Sequence, residues 1–387
     1  MGKSILLVGG GHAMMPTVRH IRERVPASVS VTLVSDNPYL YYSGMVPEYL
    51  GGVYREDEIR LDLVSLCNRY GIDWVQGRAV GLDVKRGEIT LANGGTVAGD
   101  VVAFDVGSMT PGTTDESIVA KPLHRIARFA EQVDEMLDSD SGHQVAIVGG
   151  GAAGVEVALN VAQRIRRHGA EQRIRIHLYE SNDRVLHMFP KGLSKDALRL
   201  LVDAGVRVEM SSRPVAVSEK VLRTAVGETA YSTILWATGT KGPDFFKEAG
   251  LLTNERGFVH TDTQLRVIGR SNIFASGDSA LVKGYENLAR IGVHAVKQGP
   301  VLLHNIAASV NETDGLQAFA PYPVSPIIIS TGLPSAWWLA GPVWFRNKLS
   351  LGLKHQIDRK WINPWLDPAY RSTKLWDYRN ATDVSRS

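Results

Sequence analysis

Cysteine is almost missing from this 387-residue chain, where Cys67 stands alone. One thiol cannot close an internal disulfide, complete a four-thiolate zinc site or hold an iron-sulfur cluster. The fold must rest on its core and on any ligand it binds, and redox chemistry would need a bound cofactor. Long apolar runs are missing too: the best candidate, 336–345, is broken by Gly341 and Pro342 and falls short of the 18 or so residues that span a bilayer. The chain is expected to touch a membrane, not to cross it. No basic leader or separate apolar segment precedes the strand-like residues that begin at Ser4, so the expected address is the cytoplasm, with the cytoplasmic face of a membrane as the peripheral variant. The histidines do not cluster at metal-ligand spacing, so no metal is expected, and no nucleic-acid partner either.

Charge of one sign is scarce in the whole, with 43 basic against 40 acidic residues, but from Thr331 onward the count is nine basic to four acidic. Six of the eight tryptophans fall in the same stretch, which marks the C-terminal segment as compositionally foreign to the body. Apolar residues at 44% and charged residues at 21% are ordinary for a soluble globular protein and exclude wholesale disorder. Glycine is the excess, at 38 residues, against a usual share of about 7%.

Much of that glycine lies in a repeat. Ile5-Leu6-Leu7-Val8-Gly9-Gly10-Gly11 returns as Val145-Ala146-Ile147-Val148-Gly149-Gly150-Gly151, 140 residues later. Each copy is a buried-type strand entering a glycine cluster, then an amphipathic stretch, then a second strand (29–34 and 174–179). In the first copy Met14, Val18, Ile21 and Val25 recur at helical spacing. This is the order of a dinucleotide-binding unit, in which glycines allow a tight turn, close approach of the backbone to a pyrophosphate, and packing of helix on strand. The second copy is complete with Gly149, Gly151 and Gly154. The first has Gly9 and Gly11 but Met14 at the third position, so its helix and sheet are expected to sit further apart or pack differently. Glu180, at the end of the second strand, is placed to accept hydrogen bonds from an adenosine ribose and to repel a 2′-phosphate. NADH is favoured over NADPH, although Arg184 lies close enough in sequence to soften the argument. Ser35 aligns with Glu180, so either Asp36 reaches the first ribose or the first site does without a carboxylate.

With these residues in place the chain resembles the two-dinucleotide-domain flavoproteins of the pyridine nucleotide-disulfide oxidoreductase superfamily. Phe104-Asp105-Val106-Gly107-Ser108, Trp236-Ala237-Thr238-Gly239 and the segment 272–278, ending in Gly277-Asp278, match its motifs in kind and order. Within it the chain looks most like type II NADH dehydrogenases and the NADH-dehydrogenase-like subgroup associated with selenide, water dikinase. The narrower likeness rests on Gly9-Gly10-Gly11-His12, on Tyr42-Ser43-Gly44-Met45-Val46-Pro47, on the Asp-Val-Gly-Ser segment and on a late stretch from Leu353 to Arg359.

The resemblance implies an α/β fold of two Rossmann-like, three-layer ββα domains, the second inserted in the first, plus a C-terminal α-helical or irregular segment. The expected bounds are 1–112 with 242–310 for FAD, 113–241 for NAD(H), and 311–387 for the C-terminal segment. It implies FAD contacts at Gly9, Gly11, His12, Ala13, Asp36, Pro47, Gly107, Ser108, Gly277, Asp278, His294 and Ala295. NADH contacts would fall at Gly149, Gly151, Gly154, Glu180, Thr238 and Gly239. Lys297 and Gln298 occupy the place of a paired glutamine beside the quinone pocket, with solvent-exposed helix residues as the competing reading. Glu156 matches a glutamate near flavin and nicotinamide, suited to proton relay or lysine pairing, or else to stabilising a helix N-terminus.

Cys67 reads as a small buried hydrophobe on an amphipathic helix, so the thiol route of the disulfide reductases is closed. The implied activity is that of an FAD-dependent NADH oxidoreductase: hydride passes from NADH to flavin N5, then electrons pass to a quinone. Two alternatives stay open. One is a soluble NAD(P)H-dependent flavoprotein reductase with a selenium compound or a protein carrier as acceptor, and the other is an NADH-sensing flavoprotein. In the tail, Phe345, Leu349, Leu353, Ile357 and Trp361 step by four among Arg346, Lys348, Lys354, Arg359 and Lys360. Residues 334–365 therefore suit either a membrane interface or packing on the FAD domain or on a second copy in a homodimer.

Overall fold

The computed structural model describes residues 2–371; Trp376, Lys374, Arg379 and Arg386, counted above in the basic aromatic tail, lie outside them. The chain divides into two compact units, Met1–Leu40 with Asp62–Met109 and Thr240–Pro323, and Tyr41–Leu61 with Thr110–Gly239 and Val324–Ser387.

Each unit is built on a five-stranded parallel sheet. In the first the order is Ile273–Ala275, Val101–Phe104, Ser4–Val8, Ser30–Ser35 and Asp73–Gln76. In the second it is Ile118–Val119, Thr233–Trp236, His143–Val148, Ile174–Tyr179 and Arg207–Glu209. Near-continuous apolar strands such as Ile5-Leu6-Leu7-Val8 and Val145-Ala146-Ile147-Val148 are what a sheet covered on both faces requires, and all eight residues are buried. The registers of the two copies coincide. Val8 pairs with Phe104 and Val148 with Trp236, so Asp105 and Ala237 follow at equivalent positions. Gly9 N donates to Val34 O at 2.7 Å and Gly149 N to Tyr179 O at 2.8 Å, which sets Ser35 opposite Glu180.

A three-stranded antiparallel sheet accompanies each parallel one, over 79–98 in the first unit and 215–230 in the second. The first core gathers Leu6, Val8, Val102 and Phe104 with Phe245 and Phe246; the second gathers Ala146, Val148, Tyr179, Leu222, Tyr231 and Ile234.

The helices after the two glycine clusters differ in length. Ala152–Arg167 runs 16 residues, whereas Met15–His20 gives way to a 3-10 turn at Ile21. Met14, Val18 and Ile21 are fully buried all the same, so the apolar spacing in the sequence marked a face, not a long helix.

The C-terminal segment adds a sheet ahead of its helix. Ile327–Ser330, Ala336–Ala340 and Val343–Asn347 form an antiparallel three-stranded layer. Gly341, at φ +57°, opens the two-residue turn with the left-handed conformation that a tight hairpin needs. Trp338 and Phe345 face each other across the strands, with ring centroids 5.0 Å apart. The helix therefore starts at Lys348, not at Phe345, and its cap is Asn347, whose side chain accepts from Ser350 N at 2.8 Å. Asp196 ties this layer to the helix Lys191–Asp203, accepting from Trp337 Nε1 and Arg346 Nε, each at 2.8 Å.

Candidate functional site

The first glycine cluster is shaped by close approach. Gly9 sits at φ +88°, and a Cβ there would come within 2.4 Å of Asp105 O, so only glycine fits. His12 and Ala13 carry the turn, Ala13 fully buried. Ser35 Oγ donates to Asn37 O at 3.0 Å, and Asp36, one residue on, is exposed. Gly107, at φ +68°, has open space where a side chain would point, and Ser108 beside it is buried.

Downstream in the same unit, Gly277 and Asp278 meet the helix Gly292–Asn311, whose N-terminus carries no side-chain cap. A small pocket opens there, lined by Gly277, Asp278, Arg290, His294, Ala295 and Gln298 among others. The first-turn amides of a 20-residue helix point a partial positive charge into such a space. His294 is buried and its Nδ1 has no hydrogen-bond partner; burial first, and Lys297 second, lower its pKa and keep the ring neutral. Gln298 is buried and accepts from Gly277 N at 2.6 Å, so it is no solvent-facing residue. Lys297 is half-buried and holds its ammonium 3.8 Å over the Tyr322 ring.

The second glycine cluster follows the same plan with its third glycine present. Gly149 has φ +120°, and a Cβ at Gly154 would fall 1.8 Å from Gly149 O. Gly151, at the head of the uncapped helix Ala152–Arg167, has nothing within 4 Å of a built Cβ. That gap beside free amides is the space an anion needs. Thr238 and Gly239 follow the strand Thr233–Trp236 after one residue, Ala237.

Glu180 is buried, and burial opposes its ionisation. The amides of Asn182 (2.7 Å) and Gly150 (2.9 Å) and the Asn182 side chain outweigh that cost and hold its pKa below the usual range. Arg184 turns away from this carboxylate. Its guanidinium donates to the carbonyls of Phe189, at 3.0 Å, of Leu186 and of His187.

A third constellation, within the second unit, was not legible in the sequence as a group. Pro47 opens the short helix Val46–Leu50, which packs on Ala152–Arg167. From these two helices Glu48 and Glu156 join Lys354 and Asp358 of the C-terminal helix. Lys354 Nζ lies 2.6 Å from Glu48 Oε1 and 3.0 Å from Asp358 Oδ2, and also donates to Gly44 O. Glu156 Oε1 accepts from Ser330 N at 2.7 Å.

Three carboxylates around one ammonium cannot all ionise cheaply in an interior. Burial pushes Glu156 up to about 7 against the pull of Lys354, with Glu48 adding to the rise. Burial likewise raises Asp358. Lys354 is held well above its ordinary value, because Asp358, Glu48 and Glu156 outweigh its burial. Beside it Tyr54 Oη hydrogen-bonds His355 Nδ1; burial, then Lys354, push His355 down to about 4. Among these residues Glu156 was expected at a site and Pro47 beside one. Glu48, Tyr54, Lys354, His355 and Asp358 were not expected at a site, although the stretch from Leu353 to Arg359 carries part of the family likeness and lysine pairing is one reading of Glu156; the Lys354/Asp358 spacing of four reads equally as a surface pair.

Cys67 is fully buried on the helix Leu63–Tyr70, and burial, with Asp62 adding, pushes its thiol up to about 12. Among the described residues no group of three or more His, Cys, Asp or Glu side chains could hold a metal ion.

The second cradle leaves open space at Gly151 beside an uncapped helix end, as a dinucleotide phosphate requires. A type II NADH:quinone oxidoreductase of Staphylococcus aureus is 25% identical over 337 residues, covering 80% of this chain and 83% of that protein. NDH2 from Plasmodium falciparum, solved with NADH, superposes with a TM-score of 0.78 at 14% identity over 96% of each chain. The sulfide:quinone oxidoreductase of Aquifex aeolicus does so with a TM-score of 0.73 at 15% identity, over 95% of this chain and 94% of that one. FAD and NADH are the cofactors of this family and of its type II relatives. Residues 3–299 match the pyridine nucleotide-disulphide oxidoreductase family, and the chain belongs to it.

Proposed function

We propose that this protein is an FAD-dependent NADH:quinone oxidoreductase that works at a membrane surface. The observation that carries the reading is the pairing of two nucleotide cradles with a single, fully buried, high-pKa thiol. A family member without a usable thiol has no protein disulfide to reduce, so its electrons must leave for an external acceptor. The S. aureus relative is named for a quinone, and a quinone is the acceptor class we favour.

In this reading the first unit holds FAD through Gly9, Gly11, His12, Ala13, Gly107, Ser108, Gly277, Asp278, His294 and Ala295. The second holds NADH through Gly149, Gly151, Gly154, Glu180, Thr238 and Gly239. Bound, the pair supplies hydride transfer and two-electron chemistry. The chain supplies position and protons. Glu180 repels a 2′-phosphate, and Arg184, committed to backbone carbonyls, offers that phosphate no compensation, which favours NADH. The N-terminus of Gly292–Asn311 places amide dipoles where negative charge gathers. Quinone reduction consumes one proton beyond the hydride, and Glu156, with its pKa raised to about 7, is poised to take up and release one near neutral pH. Glu48, Asp358 and Lys354 set the charge around it.

The C-terminal helix supports the membrane part. It turns Leu349, 82% exposed, with Leu353 and Ile357 outward, beside the exposed Val343 and Phe345 of the hairpin. No described helix is long and apolar enough to cross a membrane, so this surface would lie on the bilayer. Steady-state NADH oxidation against quinones, selenium compounds and protein carriers tests the reading. Turnover with quinones and not with the others is expected. Turnover only with a non-quinone acceptor would replace it with a soluble reductase, and flavin that stays reduced before every acceptor would point to a sensor.

A further inference from the structure

The two cradles superimpose in register, yet the space at their middle glycines differs. At Gly151 a built Cβ meets nothing within 4 Å, while at Gly11 it would meet the carboxylate of Asp105 at 2.3–2.4 Å. That carboxylate also reaches Gly277, where a Cβ would fall 2.2 Å from Asp105 Oδ1. Asp105 is buried, its Oδ2 accepts from Met14 N at 3.0 Å, and its own carbonyl accepts from Gly11 N at 3.2 Å.

The equivalent residue in the second cradle is Ala237: Asp105 N donates to Val8 O and Ala237 N to Val148 O, both at 2.8 Å. Met14 and Asp105 thus stand where the complete cradle has Gly154 and Ala237. Gly154 allows its helix to close directly on Gly149 O, a contact that a methionine at position 14 could not make. Asp105 answers with a charge-assisted hydrogen bond to the Met14 amide, the stronger kind of link, across a gap that Gly11 and Gly277 leave clear.

We infer that Asp105 is a positioning residue matched to Met14: its carboxylate joins the Gly11 turn, the Met14 amide and the Gly277 turn, and so sets the first cradle for its dinucleotide. The two glycines are needed here to admit Asp105, not only to admit a ligand. The inference rests on the reading that the first cradle holds FAD.

The test measures FAD dissociation from the purified holoprotein by flavin fluorescence, with urea midpoints in parallel, for wild type, Met14→Gly, Asp105→Ala, Asp105→Asn and the Met14→Gly/Asp105→Ala double variant. Asp105→Ala should weaken FAD retention about tenfold or more, the scale of a lost hydrogen bond to a charged group. Asp105→Asn keeps an acceptor oxygen and should stay within about threefold of wild type, since only the charge assistance is lost. The double variant rebuilds the Gly154/Ala237 pattern and should hold FAD better than the product of the two single losses. Retention by Asp105→Ala equal to wild type, failure of Asp105→Asn to rescue, or single losses that multiply in the double variant overturns the pairing. Wild-type protein that neither carries nor takes up FAD fails the cofactor assignment itself, a result distinct from the other three.

Discussion

Glu156 shows how far one residue's chemistry depends on neighbours that the chain brings from afar. By itself a glutamate early in a helix would be an ordinary ionised group near pH 4.5. Burial first, then Glu48, outweigh Lys354 and the hydrogen bonds from Ser330, and Glu156 holds its proton up to about 7. If Glu156 donates the proton consumed in acceptor reduction, the acceptor-reducing step slows as pH rises through about 7, and Glu156→Gln removes that dependence. Stability carries the same sign. Between about 4.5 and about 7 the native state keeps a proton the unfolded chain releases, so this group's contribution declines as pH rises through the window. Stopped-flow reoxidation and urea midpoints from pH 5 to 8, in wild type and Glu156→Gln, check both; equal pH profiles in the two proteins would remove Glu156 from proton delivery.

Among the elements, the helix Lys348–Ile362 is the one whose sequence misleads most. Its leucine stripe suits either a membrane interface or packing on protein, and Lys354 reads as one of the solvated cations on its other faces. Instead Lys354, His355 and Asp358 are buried while Leu349, Leu353 and Ile357 are exposed. The ion pair from Lys354 to Glu48 and its hydrogen bond to Gly44 O anchor the helix within its unit, while the pair with Asp358 lies within the helix itself. Lys354→Met should leave those carboxylates uncompensated and cost about 3–5 kcal/mol in urea unfolding, the scale of breaking a buried pair from one side. A loss below about 1 kcal/mol would mean that the carboxylates simply take up protons and that the pairs hold little of the fold.

At the scale of the whole molecule, Leu349, Leu353 and Ile357 of this helix and Val343 and Phe345 of the hairpin are apolar side chains that the described chain leaves uncovered. The exposed Lys348 and Lys360 would meet anionic headgroups. Full-length protein should co-sediment with anionic liposomes, and Leu349→Ser/Leu353→Ser/Ile357→Ser should abolish co-sedimentation while NADH oxidation with a water-soluble quinone continues. Protein that stays in solution refutes membrane docking, and a dimer that the triple variant splits would assign the surface to a second copy.

The sequence by itself determined the two parallel sheets and their cradles, because continuous apolar strands and φ-positive glycines are local demands that few other residues or folds satisfy. It also determined that Cys67 has no partner, a matter of counting. Only the tertiary structure decided what Gly11 is for, why Met14 is tolerated, and which way the C-terminal helix faces. Those answers depend on Asp105, Glu48 and Asp358, whose charges acquire meaning only when distant segments bury them together. A carboxylate at the surface is solvated and silent in a sequence; the same group desolvated beside an amide or an ammonium must be paired or protonated, and the fold alone supplies that partner.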